Sequence, residues 1–387
     1  MPETGNALKT TLQQLARENR LRSLKTISEP QRPEVTLNGR RVVDFCSNDY
    51  LGLMSHPDLI QASQAAIAKY GTGAGGARLI GGTLDLHMTL EDELRAFKGT
   101  EAALVFNSGY QANVGVLSAL VGRNDLIFSD RLNHASIVDG AILSRARQVR
   151  YPHLDCEALE KRLQDAPEGV GKFIVTDSVF SMDGDKAPLK ELYALACRYD
   201  AWLIVDEAHG TGVFGDQHRS GLWETTGIGP DPRVIQIGTF SKALGSFGAY
   251  VAASAEAIQS LLQFSRSFIY STALPPAVIA ANLAAVRLVM SDGEPARKLW
   301  ENVRQFQQAS QAAGFSWAVE SPIIPVVIGD SGQTLAGGAA LLDAGFYVQA
   351  IRPPTVPEGT ARLRITLSAS HTPDHIAQLV ESLGGLL

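Results

Sequence analysis

Short apolar runs rich in β-branched residues recur along the chain between longer stretches of helical period: Ala103–Phe106, Leu126–Ser129, Phe173–Thr176, Trp202–Val205, Val234–Ile237 and Tyr250–Ala253. Their near-continuous apolarity is that of strands buried on both faces. Helical patterns over Pro57–Tyr70, Leu84–Phe97, Ala135–Leu143 and Leu189–Tyr199 alternate with them. This alternation predicts a mainly parallel sheet covered by helices over roughly residues 50 to 270. Two helices then follow, Ala277–Met290 and Pro295–Ala313. A second, smaller α/β pattern comes after them: Ile323–Ile328, helix Leu335–Ala344, Phe346–Ile351, Leu363–Leu367 and helix Pro373–Leu383. Residues 1–25 read as helical, and 34–45 as a strand pair turning at Asn38-Gly39, a hairpin dipeptide. The expected organisation is an N-terminal segment over 1–49, a large domain over 50–285 and a C-terminal α/β domain over 286–387.

Composition narrows the class. The 387 residues are 45% hydrophobic and 19% charged, with 36 glycines, which excludes a disordered chain and a small disulfide scaffold. Lys and Arg number 34 against 40 acids, a net charge of −6 with no basic run, so nucleic acid is not an expected partner. Cys46, Cys156 and Cys197 are far apart and lack Cys-x-x-Cys spacing, so neither a disulfide framework nor a zinc knuckle is implied. The N-terminus carries neither a basic nor an apolar leader region, and the most apolar long stretch, Ala273–Met290, is broken by Pro275, Pro276, Asn282 and Arg287. The expectation is a cytoplasmic protein with no membrane span.

Several segments carry candidate chemistry. Gly71 to Gly82 holds six glycines in twelve positions, backbone suited to a close approach or to positive φ. It lacks the Gly-Lys-Ser/Thr ending of a phosphate loop and follows a helix pattern, and a functional and a structural loop both fit it. Asp206-Glu207-Ala208-His209 ends a buried strand run and spells a helicase box, but neither the phosphate loop nor the basic surface of a helicase accompanies it. A buried strand-end acid requires a partner. Thr239-Phe240-Ser241-Lys242 ends the next run and places one of the ten lysines among small residues, the setting of a Schiff-base amine. Asp206 and Lys242 closing two strands of one sheet suit pyridoxal, which needs an amine for its aldehyde and an acid for its ring nitrogen. Asn107-Ser108-Gly109-Tyr110 begins a helix after a strand, a phosphate cradle or an ordinary turn; His134 likewise opens a helix, to stack on a flat ring or to cap. His371 and His375 stand four apart, yet Thr372-Pro373 between them reads as an N-cap and first helical residue, and no metal site is expected.

Taken together, Ser47-Asn48-Asp49-Tyr50-Leu51-Gly52, Asp177-Ser-Val-Phe-Ser181-Met-Asp-Gly184, Asp206-Glu-Ala-His209 and Thr239-Phe-Ser-Lys242 resemble the α-oxoamine synthases, fold-type-I pyridoxal-phosphate transferases, over nearly the whole chain. The resemblance implies an α/β fold with a large mainly parallel-sheet domain and a smaller C-terminal α/β domain. It implies Lys242 as the cofactor-bearing lysine, Asp206 on the pyridine nitrogen, His209 on the phenolic oxygen and His134 stacked on the ring. Ser181 lies near the cofactor in the family, and Gly109, Tyr110 and Thr239 match its phosphate contacts. Thr272 matches a phosphate contact from the second subunit of a homodimer. Arg22 and Thr355 correspond to acyl-substrate positions, Arg352 to the receiver of the amino-acid carboxylate, and Asn48 to the site lining. The tail from Ile351 to Arg364 points within the family to L-alanine and a pimeloyl thioester, on coenzyme A or a carrier protein, as the substrates of a biotin-pathway acyltransferase. The alternatives are other α-oxoamine synthase reactions: glycine with acetyl-CoA, as in glycine C-acetyltransferase, glycine with succinyl-CoA, or serine with a long acyl thioester. One departure from the family is Asp177, where many relatives carry Glu.

Overall fold

The computed structural model describes residues 3–28 and 33–386. Those residues fold as two compact units. One comprises the described parts of 1–48, 182–184 and 298–387, and the other 49–181 and 185–297. The described residues up to Asn48 thus belong with the C-terminal segment, and the larger unit extends to Arg297.

The larger unit is built on a seven-stranded sheet. Its spatial order is Ala102–Phe106, Ala249–Ala253, Val234–Thr239, Trp202–Asp206, Lys172–Asp177, Leu126–Asp130 and Arg147–Tyr151. All neighbouring pairs are parallel except those made by Ala249–Ala253, which runs antiparallel to both its neighbours. The edge strand Arg147–Tyr151 escapes the hydropathy pattern because its Arg-Gln-Val-Arg-Tyr sequence suits a half-solvated edge. One face buries Ile127, Val175, Ile204, Ile235, Ile237 and Val251 against Ala112, Val116 and Leu117 of helix Gly109–Leu120 and Ile137 and Ala141 of helix Ala135–Ser144. Helix Leu189–Arg198 lies on Trp202–Asp206. Truncating any of these buried aliphatics costs about 2–5 kcal/mol.

In the smaller unit the described helix at the N-terminus covers Glu3–Arg17 only; residues 18–25 are not helical, in contrast to the expectation for 1–25. Asn19, at φ 55°, ends the turn that follows it. The strand pair Glu34–Leu37 and Arg40–Asp44 forms as expected, with Asn38 and Gly39 both at positive φ. The expected strand Phe346–Ile351 is instead divided. Phe346–Tyr347 pairs parallel with Arg40–Asp44, while Gln349–Ile351 joins Ala361–Thr366 and Ile323–Gly329 in a second, antiparallel sheet. Hydropathy alone does not register a strand that changes sheets. No described helix is long and apolar enough to cross a membrane.

Candidate active site

Parallel pairing brings the ends of adjacent strands to one edge, where ligand groups collect in open α/β sheets. Asp177 pairs in register with Asp206, and Asp206 with Ile237, two residues before Thr239. The strands run through these polar ends rather than stopping at the last apolar residue, because each carboxylate has donors. Asp206 Oδ1 accepts the Ala208 N–H at 2.8 Å and Oδ2 accepts Asn113 Nδ2–H at 2.6 Å. Asp177 Oδ2 accepts the His134 N–H at 2.8 Å, while the Asp177 N–H donates to Asn133 Oδ1 at 3.0 Å. Burial and the neighbouring Asp206 carboxylate hold Asp177 well above the usual carboxylate range. The shorter acid therefore still reaches a partner, the backbone that carries His134.

Lys242 is half-buried on a turn closed by three backbone bonds: Phe240 N–H to Gly248 O, Ser246 N–H to Phe240 O, and Gly245 N–H to Lys242 O. Thr239 Oγ1 donates to Gly248 O at 2.8 Å and lies 2.7 Å from Ser241 Oγ, so its hydroxyl is part of the same turn. Phe240, fully buried against Tyr250, plugs it from beneath. Gly245 sits at φ 63°, where an added Cβ would lie 2.5 Å from the Leu53 carbonyl carbon. Lys242 Nζ lies 2.9 Å from His209 Nε2, and His209 Nδ1 lies 2.6 Å from the buried Tyr50 hydroxyl. Between Asp206 and His209, Glu207 is fully buried. It accepts the Ser178 hydroxyl at 2.8 Å and the N–H groups of Leu222 and Trp223 at 2.9 and 2.6 Å, pinning the turn from behind.

His134 caps helix Ala135–Ser144 and leaves its ring exposed beside the buried carboxylates. Ser108 caps helix Gly109–Leu120, whose first N–H groups lack helical acceptors. Tyr110, part-exposed, donates its hydroxyl to Asp139. Ser181 is half-buried just past Phe180. Thr272 is exposed, and its carbonyl accepts Asn107 Nδ2–H of the same chain at 2.8 Å. The glycine-rich segment ends in a five-residue π turn, Arg78–Gly82, anchored by a buried bidentate pair from Arg78 to Glu91 at 2.7 and 3.0 Å. This favours its structural reading.

The remaining candidates lie in the smaller unit. Arg22 Nη2 donates to Thr355 Oγ1 at 3.1 Å, Arg352 donates to Asn19 O, and all of these residues line one groove of about 640 Å³ with Arg20 and Lys25. Burial and the Arg22 charge lower the Arg352 pKa from its ordinary value. Asn48 is not part of that groove; its Oδ1 accepts Arg364 Nη2–H at 3.2 Å. Tyr50, Asn113, Ser136, Glu207 and Arg364 are not among the residues expected from the sequence, yet each bonds to one that is or to its supporting turn. Tyr50 and Arg364 lay inside quoted motifs, whereas Asn113 carried no signal beyond a polar residue on an apolar helix face.

The donor set fits pyridoxal phosphate. It offers one amine, one doubly hydrogen-bonded carboxylate, two imidazoles and the N-terminus of a 12-residue helix. At Gly109 an added Cβ would meet nothing within 4 Å, so that terminus opens onto free space. The class I and II aminotransferase profile matches residues 40–383. The chain is 53% identical to an 8-amino-7-oxononanoate synthase of Geobacter sulfurreducens over 96% of its own length and 95% of the relative's. The chain belongs to the 8-amino-7-oxononanoate synthases, within the class I and II aminotransferase family. It also superposes on a serine palmitoyltransferase solved with PLP, with TM-score 0.92 and 34% identity over 98% of this chain and 96% of that one. An 8-amino-7-oxononanoate synthase of Francisella tularensis gives TM-score 0.76 and 30% identity over 89% and 97%. This synthase chain is a fold-type-I, PLP-dependent acyltransferase.

Proposed function

We propose that the chain condenses L-alanine with a pimeloyl thioester, giving 8-amino-7-oxononanoate, carbon dioxide and the free thiol. The similarity to the Geobacter sulfurreducens synthase, at 53% identity over nearly all of both chains, carries this reading. Bound pyridoxal phosphate supplies an aldehyde that takes up an amine and a protonated ring that accepts the electron pair left at Cα. Lys242 Nζ would hold the aldehyde and, once released from it, would be the base for the Cα proton. Asp206 faces the ring nitrogen and keeps a proton there, a task suited to a carboxylate held by two hydrogen bonds. His209 would hold the phenolic oxygen and His134 would cover the ring face. Gly109, Tyr110, Thr239 and Thr272 hold the phosphate, with Ser181 beside the cofactor. Arg22 and Thr355 serve the acyl chain, Arg352 the amino-acid carboxylate, and Asn48 the site lining.

The proposed working unit is a cytoplasmic homodimer. Ile80, 88% exposed, and Tyr270, 71% exposed, flank the Ala77–Thr272 bridge, and Leu79, Met88 and Phe247 add exposed apolar surface in the same unit. Apolar surface of this kind calls for a partner. Thr272 lies next to Asn107 of its own chain, so the exposed apolar residues support the dimer more directly than Thr272 does. Sedimentation at assay concentration tests this; a fully active monomer overturns it.

The deciding experiment for the reaction is a matrix of alanine, glycine, serine and threonine against acetyl, succinyl, pimeloyl and palmitoyl thioesters, following thiol release. The expected highest kcat/KM is alanine with pimeloyl. Highest kcat/KM for glycine with acetyl-CoA would instead establish the C-acetyltransferase reading, and for serine with palmitoyl-CoA a palmitoyltransferase.

A further inference from the structure

Asn113 and Ser136 lie behind the site, and both are essentially without solvent contact. Asn113 Nδ2 stands 2.6 Å from Asp206 Oδ2 and 2.9 Å from Ser136 Oγ, and Ser136 Oγ stands 2.7 Å from His134 Nδ1. The direction of every proton in this chain follows from chemistry. A carboxylate accepts only, so Asn113 must present its amide nitrogen to Asp206; the flipped amide would press two oxygens together. That orientation leaves Asn113 Oδ1 buried with no hydrogen-bond partner among the described residues, a penalty the flipped form would exchange for a larger one. The second Asn113 N–H then goes to Ser136 Oγ. His134 Nδ1 is the acceptor of the Ser136 backbone N–H, at 3.3 Å, so it carries no proton of its own and the Ser136 hydroxyl donates to it. Two donors on Nδ1 leave Nε2 as the nitrogen that carries the ring proton.

We infer that Asn113 is a positioning residue that through one amide group fixes both the Asp206 carboxylate and, by way of Ser136, the Nε2–H tautomer of His134. Its significance for catalysis rests on the cofactor reading above; the hydrogen-bond chain does not. The inference has an asymmetric signature. Loss of Ser136 Oγ releases His134 alone, whereas loss of the Asn113 amide releases His134 and Asp206 together.

The test uses the full-length protein labelled with ¹⁵N-histidine, with the His134 signals assigned by their loss in His134→Gln. In the cofactor-free wild type the nitrogen shifts should report a proton on Nε2. The Nδ1–H form should rise at least about fivefold in Ser136→Ala, where only the longer backbone N–H contact at 3.3 Å remains on Nδ1, and in Asn113→Ala, where Ser136 Oγ has lost its donor and can accept from the ring instead. Cofactor dissociation, read by equilibrium dialysis, should weaken on the order of 10- to 100-fold in Asn113→Ala and less than about threefold in Ser136→Ala, as expected for a lost bond to a charged group against a neutral one. If Asn113→Ala does not fold, Asn113→Asp keeps the shape; the two adjacent carboxyl groups take up one shared proton, which keeps a bond to Asp206, while the donor to Ser136 is lost and the His134 tautomer is still released. A wild-type Nδ1–H tautomer, unchanged shifts in the variants, or equal cofactor loss in both would overturn the inference. Borohydride fixation of the cofactor to a lysine other than Lys242 would sink the cofactor reading while leaving the tautomer result standing.

Discussion

The strand-end row of the larger unit and the cationic groove of the smaller one handle charge in opposite ways. At the strand ends Asp130, Asp177, Asp206 and Glu207 are buried, and each is held by N–H or O–H donors from fixed elements. In the groove, Arg20, Arg22, Lys25 and Arg352 are partly or fully open to solvent, and they meet a carbonyl, a hydroxyl, the Tyr347 ring and exposed glutamates. Burial makes each missing hydrogen bond expensive, so the strand-end geometry has few alternatives. Solvent-screened arginines, by contrast, re-pair at little cost. The first arrangement suits chemistry that needs fixed atoms, the second a flexible anionic or acyl ligand.

Substitutions in the row should therefore be drastic and independent of salt, and those in the groove mild and sensitive to it. Lys242→Ala is expected to lower kcat by about 10³-fold or more, since it removes both the amine and the general base. Borohydride should fix the cofactor to the 239–245 peptide of the wild type and to no peptide of the variant, and fixation of the wild type to another lysine would refute the assignment. Asp206→Asn keeps the shape but loses the charge, and kcat should fall by about 10²-fold with the Kd for the cofactor changing much less. A loss within about tenfold would contradict the electrostatic role.

His153 sharpens the comparison through stability. Its ring bridges Asp130 at 3.0 Å and Asp185 at 2.8 Å. Burial pushes its pKa down, yet the bonds to the two carboxylates prevail and raise it from 6.5 to about 9. A folded-state value above the unfolded one means that the stabilisation is complete below about pH 6.5 and lost as pH rises through about 9. His153→Gln should cost on the order of 2–3 kcal/mol at pH 6, read from the urea midpoint, and progressively less from about pH 6.5 to 9, with little of the charge-dependent cost left above that. A cost that does not change with pH would mean that packing against Phe180, not charge, is what the residue supplies. The smallest effects are expected in the groove. Arg22→Ala and Arg352→Ala should each raise the KM for the acyl or amino-acid substrate by about three- to tenfold with kcat little changed, and the effect should shrink in high salt. A salt-independent loss of kcat would move these arginines into the same class as the strand ends.

The sequence by itself determined the alternation of buried strands and amphipathic helices. Apolar runs such as Trp202–Val205 and Val234–Ile237 have no low-energy alternative to burial on both faces. Together with the quoted motifs it also determined Asp206, His209 and Lys242 as a set, because strand ends in a parallel sheet must share one edge. The Thr372-Pro373 helix start likewise follows from local chemistry, a side-chain cap and a preset φ. Tertiary structure decided what depends on partners distant in sequence. It carried the strands one residue further, through Asp130, Asp177 and Asp206, since donors such as Asn113 and the His134 N–H lie 93 and 43 positions away from Asp206 and Asp177 respectively. It divided 346–351 between two sheets, because strand assignment depends on which edge is available to pair. It also turned an unremarked asparagine on an apolar helix into the link between two site residues, for the direction of a buried proton is fixed only when every acceptor around it is in place.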